Sequence, residues 1–119
     1  MLFAHTLKKQ GQIYIIGMQG DLIESSPADK LMQEVAEVIL NNNIRFVIDL
    51  SALKYLNSSG LTILIRILTK ARKAGGEAVI ACVGKRIKEL LVITKLNTVF
   101  TVAESVEEGI TKLNKLVSN

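Results

Sequence analysis

The sequence predicts a single α/β domain: a mixed, mostly parallel sheet of four to five strands, opened by an N-terminal hairpin and joined by about four helices. Three observations predict it. Apolar residues make up 49 % of the 119 and are chiefly Ile, Leu and Val, with only 4 % aromatics, a composition suited to strands buried under helices. After the opening hairpin the hydrophobic period alternates between helix and strand in the order α-β-α-β-α-β-α. Neighbouring strands joined by helices must run parallel, with right-handed crossovers. The length is that of one domain, so residues 1–119 are assigned to it together.

Residues 3–9 and 12–18 are extended segments separated by Gln10-Gly11. The second is β-branched and aromatic at Ile13-Tyr14-Ile15-Ile16, which reads as a hairpin. Residues 20–25 read as a loop. In Ser26-Pro27-Ala28-Asp29 a serine stands as N-cap, a proline at the first helical position and an acid three residues past the cap, so a helix starts there. Leu31, Val35, Val38 and Ile39 fall on its inner face, and Asn41-Asn42-Asn43 tolerates the left-handed backbone that ends it. Phe46-Val47-Ile48-Asp49-Leu50 is apolar on both parities up to Asp49, the mark of a central strand covered on both faces.

A long helix is predicted from about Ser58 to Lys73, stopped by Gly75-Gly76, and then a buried strand over 77–83. Residues 85–95 form a shorter helix with Ile87, Leu90 and Leu91 inward, and Asn97 is placed to end it before a strand over 98–102. Ser105-Val106-Glu107-Glu108 has the form of a capping box, and Val106, Ile110, Leu113 and Val117 stripe a last helix.

Composition removes several functions. One cysteine, Cys82, and one histidine, His5, allow neither an internal disulfide nor a Cys/His zinc site. Cys82 reads as an inert core residue and His5 as a solvated residue at a sheet edge. Met1-Leu2-Phe3-Ala4-His5 lacks the basic flank and apolar run of a secretory signal, so a cytoplasmic location is expected. The densest apolar stretch, Leu61 to Leu68, is interrupted by Thr62 and Arg66 and falls short of the roughly 20 residues of a membrane span. Net charge is +4, but the basic groups Lys70, Arg72, Lys73 and Lys85, Arg86, Lys88 have no interleaved aromatics to stack bases. They read as solvated helix faces, and no direct nucleic-acid partner is expected.

The usual phosphate-loop, dinucleotide, zinc-protease and nucleophile-elbow motifs do not occur, so neither an enzyme nor a cofactor is expected. Asp49, at the carboxyl end of a parallel strand, is where doubly wound sheets place ligands. A Mg²⁺ site would need further carboxylates, and the early strands supply only Asp21 and Glu24, in a loop. Asp49 is therefore expected to accept backbone N–H groups of a turn over 51–55. The most informative segment runs from Asp49 to Leu61, where Asn57-Ser58-Ser59-Gly60 meets a helix N-terminus. Unpaired N–H groups and the macrodipole favour an anion there, while Asn57 or Ser58 would equally serve as a simple N-cap.

This segment resembles the D-L-S-x-x-x-Y-x-D-S-[ST]-G-L signature of STAS domains, in particular the bacterial anti-sigma factor antagonists. Gly20-Asp21-Leu22 is similar to their early G-x-[IL]-D loop, and the resemblance covers essentially the whole chain. It implies a partner switch: the unmodified protein binds an anti-sigma factor that is also a serine kinase, phosphorylation of Ser58 ends binding, and a serine phosphatase restores it. Two positions depart from the pattern, Asn57 and Ile23, where the family usually has acids. The switch and partner surface is expected to comprise Asp21, Glu24, Asp49, Asn57, Ser58, Ser59, Gly60, Thr62, Ile63 and Arg66; Ile63 leans off the stripe of Leu61, Leu64, Leu68 and Ala71, which leaves it either partly exposed on that surface with Thr62 and Arg66 or covered with them by a wider core. The alternative implied by the same resemblance is a constitutive docking or small-ligand-sensing subunit of a transport or signalling assembly.

Overall fold

The structure, a computed structural model, describes residues 2–117. Its strands are β1 (Ala4–Gln10), β2 (Ile13–Leu22), β3 (Arg45–Leu56), β4 (Glu77–Ala81) and β5 (Thr101–Ala103). Its helices are α1 (Asp29–Leu40), α2 (Ser58–Lys73), α3 (Lys85–Ile93) and α4 (Val106–Leu116). The sheet order is β1-β2-β3-β4-β5, with β1 antiparallel to β2 and every other pair parallel, so β3 is central as expected.

This order decides which helix lies where. The three crossovers all step the same way across the sheet, and right-handedness puts α1, α2 and α3 on one face. There they bury Leu31, Val35, Leu64, Leu68, Ile87 and Leu91 against Ile16, Phe46, Ile48 and Ile80. Helix α4 turns back over the other face, where Leu113 meets Ile13, Val47, Val79, Ala81 and Ala103. Gly109 lets α4 lie flush, since a Cβ there would stand 3.2 Å from Val47 Cγ1.

Several boundaries differ from expectation. The first helix opens as a 3-10 turn over Ser26–Ala28 with Pro27 inside it, and no side chain caps it. Proline tolerates the start of a helix, but this short turn has already satisfied Ala28 N–H through Ser25 O, so Ser26 is not used as a cap. Asn42, at φ 65°, ends α1 as predicted. α2 ends in a Schellman motif, with Gly76 N–H donating to Ala71 O and Gly75 N–H to Arg72 O. α3 stops at Lys95 (φ 62°) rather than at Asn97, and residues 97–100 are turn and bend, which shortens β5. Ser105 caps α4 by accepting from Glu108 N–H at 3.1 Å, and Leu113 is the one fully buried member of the predicted stripe.

Two corrections concern β2 and β3. Residues 20–22 and 51–56, expected as loops, are strand: the pair runs on beyond the rest of the sheet as a two-stranded ribbon, with register shifts after Gly17 and Gly20. His5 is not solvated. It faces α1, with Nε2 2.6 Å from Glu34 Oε1, and ties the edge strand to the helix layer.

Candidate functional site

The ribbon positions the site. β4 pairs with β3 only as far as Asp49, so residues 50–56 of β3 pair with β2 alone and run on past the end of β4, with Leu50 and Leu53 still packed in the core. At its tip Leu22 lies opposite Leu56, which brings the loop after β2 beside the start of α2. Asn57 joins the two. Its backbone is extended (φ −112°, ψ −171°), its Oδ1 accepts from Gly60 N–H at 2.9 Å, and its Nδ2 donates to Ile23 O at 2.9 Å. One side chain thus caps the helix and clasps the neighbouring loop, a task that needs a donor and an acceptor on the same residue.

Gly60 explains how close the approach is. A Cβ there would stand 2.0 Å from Leu22 O, an impossible contact with backbone, so only glycine lets α2 begin against β2. Ser58 and Ser59, in the first turn, are exposed, and that turn holds no acidic residue. Both hydroxyls therefore stand where free N–H groups and the helix dipole favour negative charge.

Asp21 and Glu24 lie in the same corner, lining a shallow groove of about 390 Å³ with Leu2, Phe3, Ile23 and Pro27. Thr62 and Arg66 are exposed on the next two turns, and Thr62 Oγ1 donates to Ser58 O at 3.0 Å. Sequence reasoning missed the apolar part of this corner. Ile23 is 49 % and Tyr55 57 % exposed, and the signal was an isoleucine set between Asp21 and Glu24 in a polar connection.

Two expected members are elsewhere. Ile63 is fully buried, because α2 packs on α1 as well as on the sheet and its buried arc widens to take in Ile63 and Ile67. Ile65 is the half-buried isoleucine of α2, packed at the margin of the core. Asp49 lies at the base of the ribbon, about 20 Å along the strand from Leu56. Its Oδ1 accepts from Ser51 N–H at 3.0 Å, the expected local role, although the acceptor bond is made within a strand. Asp49 neighbours Cys82, which sits just past β4 at φ 59°; burial first, then the Asp49 charge, push that thiol above its ordinary pKa.

Among the described residues no cluster of His, Cys, Asp and Glu could hold a metal ion, and no helix is long and apolar enough to cross a membrane.

A family model for the STAS domain matches residues 4–109. BtrV of Bordetella bronchiseptica, assigned as an anti-sigma factor antagonist, is 29 % identical over 102 residues, covering 86 % of this chain and 87 % of that protein. The crystal structure of an anti-sigma factor antagonist from Mycobacterium paratuberculosis matches with a TM-score of 0.78 at 19 % identity, over 95 % of each chain. SpoIIAA of Bacillus, in its phosphorylated form, matches with a TM-score of 0.73 at 14 % identity, over 92 % of this chain and 98 % of that one. These two likenesses are of fold.

Proposed function

Because the chain belongs to the STAS domain family, we propose that it is an anti-sigma factor antagonist that acts by partner switching, with Ser58 as the phosphorylated residue. The observation that carries this is the exposed Ser58 hydroxyl in the first turn of α2, beside the corner formed by Asp21, Ile23 and Glu24. In the unmodified state this corner, Ser59 and the α2 flank at Thr62 and Arg66 receive an anti-sigma factor that is also a serine kinase. ATP-dependent phosphorylation of Ser58, reversed by a serine phosphatase, sets the state of the switch, and the protein works in the cytoplasm with these partners.

The physics of the switch follows from the location. A phosphoserine adds about −1.5 to −2 charge. On an exposed helix N-terminus the fold accommodates it, so binding is lost at the interface, where a dianion is desolvated or set against acidic groups. A penalty of about 3–4 kcal/mol lowers affinity several hundredfold.

The test is a pull-down with wild type, Ser58→Ala and Ser58→Asp, together with phosphosite mapping after incubation with candidate kinases and ATP. One protein is expected to be retained by the first two baits and released by the third, with phosphate on Ser58. Equal retention by all three would instead indicate a constitutive adaptor.

A further inference from the structure

At the opposite end of α2, about 18 Å along the helix from Ser58, the ends of α1 and α2 flank a second, open groove of about 390 Å³. Ala36, Ile39, Leu40 and Ala74 form its apolar lining, and Lys70 and Lys73 its wall. Leu40 is 83 % exposed there. Arg66, Lys70 and Lys73 follow one another at helical spacing along one flank of α2, all exposed, and none forms an ion pair among the described residues. Lysines in the last turn complement the helix dipole. That does not account for the leucine laid open beside the lysines.

We propose that this groove docks an acidic amphipathic helix of a partner protein, with the helix's apolar face on Ala36, Ile39 and Leu40 and its carboxylates against Lys70 and Lys73. Charge selects this occupant. A second copy related by a two-fold axis would face the same lysines with its own. A nucleic-acid strand would use the cations but leave the aliphatic floor without a purpose, since no aromatic lines the groove for base stacking. A further exposed apolar patch, Val92 and Ile93 on α3, is lined by Lys85 and Lys88 but also by Glu89, and Lys88 is within 3.5 Å of Glu104, so its charge is mixed where that of the α1–α2 groove is of one sign. The proposal does not depend on the role of Ser58.

The test uses the full chain labelled with ¹⁵N and a synthetic helix of about 18 residues, leucine on one face and glutamate on the other. A second peptide replaces every glutamate with lysine, and a third scrambles the order. The glutamate helix is expected to shift amides of residues 36–41 and 70–76 and to bind at least about tenfold more tightly than either control. The Lys70→Glu, Lys73→Glu double variant, which changes exposed residues and should still unfold cooperatively although it melts a few degrees lower for loss of the dipole complement, is expected to lose at least about tenfold in affinity, as is wild type at about 0.5 M salt. Three results would overturn the proposal: shifts confined to another surface or absent, equal binding of the lysine helix, or a dimer that Leu40→Asp dissolves.

Discussion

Gly60 sets where α2 begins, and its replacement by alanine is predicted to destabilise the domain even though alanine is the better helix former. The new Cβ would lie 2.0 Å from Leu22 O and 2.7 Å from Leu56 Cδ1. The nearer atom is backbone and cannot rotate aside, so the helix start must back away from β2. Overpacking of this kind costs about 1–3 kcal/mol. The movement also breaks the Asn57 clasp, whose two hydrogen bonds contribute about 1 kcal/mol each. Against this stands a propensity gain of about 1 kcal/mol. The balance is a loss of about 2–4 kcal/mol, or a fall of about 8–16 °C in Tm at roughly 4 °C per kcal/mol. Urea unfolding followed by circular dichroism measures it, with Ser59→Ala, an exposed neighbour expected to stay within about 0.5 kcal/mol, as the control. A Gly60→Ala variant as stable as wild type would show that contact with Leu22 does not position the helix.

Ile63→Asp should abolish cooperative unfolding at ordinary temperature, since a carboxylate would be placed in a fully buried position at a cost of several kcal/mol; a variant that melts like wild type would contradict the burial. Asn57→Ala should cost about 1–2 kcal/mol in denaturant unfolding. Asn57→Asp, which keeps the acceptor for Gly60 N–H but not the donor to Ile23 O, should fall between the two, and equal stabilities would remove the clasp from the account. The Cys82 thiol, raised above its ordinary value of 9.0 by burial and then by Asp49, should alkylate more slowly than a free thiol near pH 9, and Asp49→Asn should speed it. The fold favours the neutral thiol, so its contribution to stability is complete below the unfolded pKa and fades as pH rises through the higher folded value. Cys82→Ala should therefore lose less stability than wild type on going above about pH 9, and identical alkaline profiles would count against it.

Local signals were legible where local chemistry decides the outcome. Asn42, Gly75-Gly76 and Ser105 terminate or cap helices through their own conformational preferences or side-chain acceptors, and each acts as its residue type predicts. The central position of β3 was visible because a strand covered on both faces has no polar alternation to maintain. The corner around Ser58 was visible through the segment from Asn57 to Gly60, but its apolar side, Ile23 and Tyr55, was not, because exposure of a single large residue leaves no period in a sequence.

What required the folded chain was everything set by more than one neighbour. Ile63 leaves the predicted stripe yet is buried, since a helix that meets a sheet and a second helix buries a wider arc than one that meets a sheet alone. Residues 51–56 are strand because β2 pairs with them, and residues without that partner would read as the loop their composition suggests. The double role of Asn57 likewise depends on Ile23, 34 positions away, arriving within hydrogen-bond reach. Backbone preferences and hydrophobic periods act over a few residues, and so the order of elements could be read from the chain. Distances between residues far apart in sequence arise only once the layers pack, and so the shape of the site could not.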